Sequence, residues 1–305
     1  MNRIEYVEIT NNKNMKVVLS TLGASIYAIF INDRIMTLTP KSKSDFEKPF
    51  LYYGKTIGPI ANRVRNGQIK IGNKKIQLDV NEKPNTLHSG KDGLSNQIFD
   101  NEMKETSEYK KVVFTYKNYT IAYTIFNNSY DLQIDFNVEV KEPTILGLTN
   151  HTFFTLGDIS LNDLELRINA DKYVKPNDID LVPESVQEVD EIMDFRKNKP
   201  ILQEISSNSL QNVKARGYDH HYIFADESKP QISLSSNAIE LNIETDFSGC
   251  QIYSDNYEDN VEMFNTHFIK NRAIAIEPQD STLERPIYRQ NETYKIYIKY
   301  RFSVK

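Results

Sequence analysis

The stretch Leu146-Gly147-Leu148-Thr149-Asn150-His151-Thr152-Phe153-Phe154-Thr155-Leu156 follows Pro143 and is rich in aromatic, β-branched and aliphatic residues. That composition predicts a strand running into a loop. Side chains alternate between the faces of a strand. Thr149, His151 and Phe153 then share one face, and Asn150, Thr152 and Phe154 the other. An imidazole beside a hydroxyl and an aromatic ring suits a polyhydroxylated ligand; the same pattern also serves a histidine hydrogen-bonded inside a β-core. A second group comes late, in Ala273-Ile274-Ala275-Ile276-Glu277-Pro278-Gln279. Pro278 favours an extended Glu277. Ile274 and Ile276 are expected to face the core, with Ala273, Ala275 and Glu277 on the opposite face. Two alanines would leave open space beside one carboxylate, as a ligand groove needs; a solvent-facing glutamate at a strand end is the other reading.

Smaller pieces accompany these two. Asn62-Arg63-Val64-Arg65 sets two arginines on one face, and a buried Arg63 would be a fork of donors for hydroxyls or carboxylates. Asn85-Thr86-Leu87-His88-Ser89-Gly90 reads as a loop carrying His88, and Tyr218-Asp219-His220-His221-Tyr222 offers Asp219 as a hydroxyl acceptor. The five histidines, at 88, 151, 220, 221 and 267, show no metal-ligand spacing, so no metal is expected. His220 and His221 are adjacent and point to opposite faces of a strand. No Gly-rich phosphate cradle and no Gly-x-Ser-x-Gly elbow occurs.

The elements that must position these groups are mostly strands. Gln68 to Ile71, Gly72-Asn73 and Lys74 to Leu78 read as a hairpin, because Gly-Asn supplies the positive φ of a two-residue turn. Tyr109 to Tyr116 and Tyr119 to Phe126 form a second hairpin. Tyr130 to Val140 and Tyr294 to Val304 alternate apolar and polar residues over long half-buried strands. Met15 to Leu19 and Ala24 to Ile31 are shorter strands. Val186 to Lys197 and Ile201 to Val213 are expected to be short helices, and Asp171 to Pro200, with three prolines, a long irregular excursion. The 305 residues are expected to form one all-β domain, 1–305, a large antiparallel β-sandwich with few short helices.

Bulk properties narrow the partners. The net charge is -5 and the basic residues are dispersed, which argues against nucleic acid or an anionic membrane. The single cysteine, Cys250, excludes an intrachain disulfide and fits a reducing compartment. With no signal peptide and no apolar span read in the sequence, a cytoplasmic location is expected. With 18 tyrosines, 15 phenylalanines and no tryptophan, any aromatic platform must be Tyr, Phe or His.

Taken together, these pieces resemble the aldose 1-epimerase (galactose mutarotase) family, in its order along the whole chain: Asn62-Arg63, Asn85 to Gly90, Leu148 to Phe154, Asp219-His220, Gln251-Ile252-Tyr253 and Ile276-Glu277-Pro278-Gln279. The resemblance implies a galactose-mutarotase-type sandwich and cofactor-free interconversion of the α and β anomers of free hexoses. It implies Glu277 as general base and His151 as general acid, with Arg63, His88 and Asp219 as binders of sugar hydroxyls and Asn62 and Gln279 as supports. The partner is then a small monosaccharide, and the chain a monomer or homodimer. The sequence departs from the family's pattern at Gly147, Phe153, Thr155 and Pro59, and lacks its usual tryptophans, which bears on sugar preference.

Such a reaction needs one group deprotonated and one protonated, on opposite sides of one pyranose. Glu277 and Asp219 are expected to raise the pKa of His151, since opposite charge favours the imidazolium. The alternatives on the same fold are a hexose-phosphate 1-epimerase, which needs basic residues beside the groove where the sequence shows no cluster, and a non-catalytic carbohydrate-binding module, which has no use for an acid–base pair. A glycosidase would need two carboxylates at defined separation, such as Glu277 and Asp219.

Overall fold

The computed structural model describes residues 3–157, 160–211, 213–264, 266 and 270–305; His267 lies outside them. Alternating apolar residues decide the architecture. In Asp131–Glu139 the residues Leu132, Ile134, Phe136 and Val138 are buried while Asn137 and Glu139 are exposed, and Thr293–Val304 pairs with it residue for residue. These two strands are central in a nine-stranded sheet. It runs from Asp100–Glu105 through both hairpin strands, then across Ile239–Thr245 and Ile232–Ser235 to Glu165–Ile168 and Lys199–Pro200.

A six-stranded sheet packs against it, in the order Phe153–Phe154, Ile274–Gln279, Gly249–Tyr253, Asp219–Ile223, Lys172–Pro176, Pro183–Glu188. Phe154 joins the two layers, with its ring 5.2 Å from Tyr300 and 6.4 Å from Phe302. Ile252, Ile274, Ile276 and Tyr222 enter the same apolar core as Ile134, Phe136 and Ile243. A four-stranded sheet, Tyr6–Thr10 to Arg34–Ile35, adds its own apolar face. Every pairing between named strands is antiparallel. This is the expected all-β sandwich, and both hairpins form in the expected registers, Ile71↔Lys74 and Tyr116↔Tyr119.

One helical expectation fails, and a second is met by a single turn. Val186 sits in the strand Pro183–Glu188, paired with Val174. Beyond it, the Asp190 carboxylate accepts from the amides of Ile192 and Met193, and Asp194 from that of Arg196; these local turns compete with a helix. Among the described residues, Ile201 to Val213 holds a 3-10 turn, Ile201–Gln203, and one short α-helical turn, Asn208–Gln211. The stretch from Asp171 to Pro200 is less irregular than expected, since Lys172–Pro176 and Pro183–Glu188 form the sheet's outer hairpin. Pro183 and Pro200 lie in edge strands, and Pro176 ends its strand at a register shift, places where a missing N–H is tolerated. No described helix is long and apolar enough to cross a membrane.

Candidate active site

The outer face of the six-stranded sheet carries the polar residues. The registers Glu277↔Gln251↔His221 and Ala275↔Tyr253↔Asp219 put Glu277, Gln251, Tyr253 and Asp219 on one side. Ile276, Ile252 and His220 form the row on the core side. His220 is a structural residue there, its ring beside Tyr173 and Tyr218. The alternation read at Ala273 to Glu277 holds, but Ala273 and Ala275 do not open a groove. They are packed under Phe153 and Tyr53 in a second apolar cluster, so their small size admits aromatic rings rather than ligand.

His151 lies between the short strands Thr149–Asn150 and Phe153–Phe154, and its backbone is fixed on both sides. Its amide donates to the Lys55 carbonyl at 3.0 Å, and its carbonyl accepts from the Gly54 amide at 2.9 Å. Gly54 has φ +62, and a Cβ there would stand 1.8 Å from the Ile26 carbonyl oxygen, so only glycine fits. Asn150 and Thr152 face inward as the alternation requires: Asn150 donates to the Gly54 carbonyl and to the Tyr123 hydroxyl, and Thr152 to Asn150.

The imidazole Nε2 lies 3.3 Å from Oε1 of Glu277, with both side chains buried. The expected arrangement on opposite sides of a sugar is therefore corrected: the two groups touch, side by side, and both line a pocket of about 280 Å³. That is the small end of the roughly 300–1,000 Å³ range of small-molecule sites.

His88 and Asn62 hold each other. The Asn62 amide donates to His88 Nδ1 at 3.1 Å, and the His88 amide donates to the Asn62 carbonyl at 3.2 Å. With Nδ1 accepting, a neutral ring carries its proton on Nε2 and is a donor there. Arg63 forks onto Glu82, through Nε at 2.7 Å and Nη2 at 3.0 Å, and reaches Asp219 through Nη1 at 3.2 Å. Gln251 donates to the other Asp219 oxygen at 2.6 Å. Arg65 does not join Arg63; it is half-exposed and faces Asp180 at 3.6 Å, because the strand Arg63–Val64 gives way to a 3-10 turn at Arg65.

Six of the seven predicted site residues thus meet in one pocket: Asn62, Arg63, His88, His151, Asp219 and Glu277. Gln279 does not. It is buried opposite Gly249, two residues along the strand from Glu277, a rise of roughly 6–7 Å. Other residues at the pocket escaped the sequence reading. Tyr52 packs edge-on to His88 at 4.6 Å and stacks with His151 at 5.8 Å, and Glu82 is the bidentate partner of Arg63. Gln251 and Tyr253, named in the sequence only as part of the family's pattern and given no role there, share one strand face at spacing two. Glu82 carried no signal, being one acid in a polar loop.

Burial dominates the site's protonation. His151 is pushed down to about 4 by burial, against the upward pull of its own backbone and of Asp219. This overturns the expected rise: the cost of burying an imidazolium exceeds the attraction of the nearby carboxylate. Glu277 is raised well above the usual carboxyl range by burial and then by Asp219, with Arg63 opposing. His88 is lowered by burial, by His151 and by Arg63. Burial thus disfavours charge on both partners, and the atoms in contact are placed to share one proton.

These features define a class: an all-β sandwich that keeps a touching carboxyl–imidazole pair on the wall of a small pocket rich in acceptors and aromatic rings. A family model described as aldose 1-epimerase matches residues 5–301, and the chain belongs to that family of carbohydrate isomerases. It is 26% identical over 281 residues to galactose mutarotase of Mus musculus, covering 83% of this chain and 79% of that protein. To aldose 1-epimerase of Haemophilus influenzae it is 27% identical over 277 residues, with the same coverage of both. The solved galactose 1-epimerase from Lactobacillus acidophilus superposes with a TM-score of 0.86 at 25% identity, covering 100% of this chain and 99% of that chain.

Proposed function

We propose that the protein interconverts the α and β anomers of free hexoses such as galactose and glucose. The observation that carries this reading is the 3.3 Å contact between His151 Nε2 and Glu277 Oε1. Both atoms to be served, the anomeric O1 and the ring O5, are bonded to C1, so adjacent protein groups suit them better than groups on opposite faces. Passage of the shared proton from Glu277 to Nε2 makes a carboxylate and an imidazolium without changing the site's net charge. Glu277 then takes the O1 proton while His151 gives its proton to O5. The C1–O5 bond breaks and C1 becomes an aldehyde. The C1–C2 bond turns, and closure on the other face returns both protons. Each arm is general acid–base catalysis, typically worth about 10²–10⁴-fold.

The remaining groups bind. Neutral His88 offers Nε2–H to a sugar oxygen. Arg63 has spent three of its N–H donors on Glu82 and Asp219 and keeps two of five. Asp219 accepts hydroxyls beside its bonds to Arg63 and Gln251. Tyr52, Phe153 and Tyr253 supply the aromatic surface. Four carboxylates line the pocket (Glu82, Asp219, Asp255 and Asp259) against two guanidiniums, Arg63 on its wall and Arg272 paired to Asp255 and Asp259 from behind, with Glu277 pushed toward its neutral form, so the balance is negative. A phosphate dianion would meet like charge there, which favours free hexoses over hexose phosphates. A cytoplasmic setting agrees with the lone buried Cys250.

Polarimetry on freshly dissolved α-galactose and α-glucose tests the reading. Optical rotation is expected to reach equilibrium faster in proportion to enzyme concentration, with glucose 6-phosphate a poor substrate. Decay at the uncatalysed rate with both free sugars would refute it.

A further inference from the structure

A second cavity, of about 340 Å³, lies behind the Arg63–Val64 segment, and its charge is opposite to that of the sugar pocket. Arg65, Lys70 and Arg285 line it, and no carboxylate does. The sequence shows no basic cluster here, because Arg285 joins Arg65 and Lys70 only through the fold. Its apolar side is Val64, Ile69 and Ile145, part of a small separate cluster.

Arg285 is the built element. Its Nη2 donates to the carbonyls of Ala61 at 3.2 Å and Arg63 at 2.9 Å. Its Nε and Nη1 make no hydrogen bond among the described residues, and no carboxylate pairs with it there. Burial without a counter-charge lowers its pKa to about 10. The nearby Asp280 is taken by Ser248, whose amide and hydroxyl both donate to it. Thr282, buried on the same wall, adds a hydroxyl. Arg65 is the one cation with an acid nearby, Asp180 at 3.6 Å; a half-exposed pair of that length contributes little and can yield.

We propose that this cavity is a binding site for a phosphate-type dianion, held by Arg285 from within and by Arg65 and Lys70 at its mouth. A planar guanidinium with unspent N–H groups beside further cations, in a partly desolvated recess without acids, is the chemistry that recognises phosphate oxygens. The occupant is separate from the sugar. The Ala61 and Arg63 carbonyls that Arg285 holds flank Asn62, which presents its amide to His88 on the pocket side. The two ligands thus meet opposite sides of one backbone arc.

Calorimetric titration of the full chain with inorganic phosphate, at constant ionic strength, tests this. Saturable binding is expected, unaffected by saturating galactose. Lys70→Ala and Arg65→Ala should each weaken it about tenfold, the loss of one charge-assisted contact. Both positions are exposed, so these variants are expected to fold. Titration with glucose 6-phosphate separates the sources of the group: equal affinity and equal indifference to galactose mean that the phosphate alone is recognised. Displacement of either ligand by galactose, or unchanged phosphate affinity in both variants, would overturn the proposal.

Discussion

Two buried arginines serve the sugar pocket, each between two carboxylates, and they are built differently. Arg63 lines the pocket and keeps donors in reserve; of its partners, Glu82 is a quarter exposed, at 26%. Arg272 stands behind the wall, 1% exposed. Its Nε and Nη2 go to Asp255 at 2.6 and 3.1 Å, and its Nη1 and Nη2 to Asp259 at 3.0 and 2.8 Å. Nη2 also donates to the Tyr53 hydroxyl at 3.0 Å, which itself donates to Asp259. Asp255, Asp259 and Tyr53 all line the pocket. Arg63 lines the pocket with two N–H groups unspent and can recognise a ligand, whereas Arg272, off the pocket with its Nη2 shared among three acceptors, can only fix the shape of a wall.

That contrast sets the size of the expected effects. Arg272→Met should be the most damaging to folding, about 3–5 kcal/mol in urea denaturation, because it leaves two carboxylates uncompensated. Arg63→Met should destabilise less, since Glu82 can take up water. Its cost should appear as a rise in KM of about ten- to a hundredfold, the loss of charge-assisted bonds to sugar. Equal destabilisation by the two variants, or an unchanged KM in Arg63→Met, would erase the distinction.

Protonation sharpens the comparison further, because the arginine networks stay charged while the imidazoles between them are neutral. His88, His151, His220 and His221 are all depressed first by burial. A histidine whose folded pKa lies below its unfolded value of about 6.5 costs stability as pH falls through that value, since the unfolded chain then binds more protons. Glu277, raised in the fold, acts in the opposite direction and offsets part of this. The unfolding free energy from urea denaturation should therefore fall between pH 7 and 5, by on the order of a few kcal/mol. A smaller effect belongs to kinetics. The profile of kcat/KM should be bell-shaped, with its acid limb near 4, where His151 gains a second proton for the pair, and its alkaline limb where raised Glu277 loses the last one. An acid limb near 6.5 would mean an imidazole that burial does not perturb.

Much of this was legible in the sequence, for identifiable reasons. Period-two alternation marks Asp131–Glu139 and Thr293–Val304 because each has one face in the core, and Gly72-Asn73 marks a hairpin because the turn needs positive φ. His151 and Glu277 were legible through motifs, and alternation correctly separated Glu277 from Ile276. The helix expected over Val186 to Lys197 does not form because Asp190 and Asp194 make local turns whose side-chain bonds no periodicity reveals. The shift of His151 was misread because proximity to a carboxylate can be guessed from a motif, whereas the depth of burial depends on Tyr52, Phe153 and Tyr253 closing around the ring. Gln279 has the right parity and lies one strand repeat too far along. Glu82 and the Arg272 network depend on long-range contacts alone.

The central claim is that His151 and Glu277 work as one proton-sharing pair, and Glu277→Gln tests it most directly. The amide keeps the shape and cannot accept the O1 proton. Turnover measured by polarimetry should fall by at least about 10²-fold, while calorimetric affinity for galactose stays within a few fold of the parent protein. Retained turnover, or parallel loss of binding and turnover, would show that Glu277 holds the sugar rather than moving its proton.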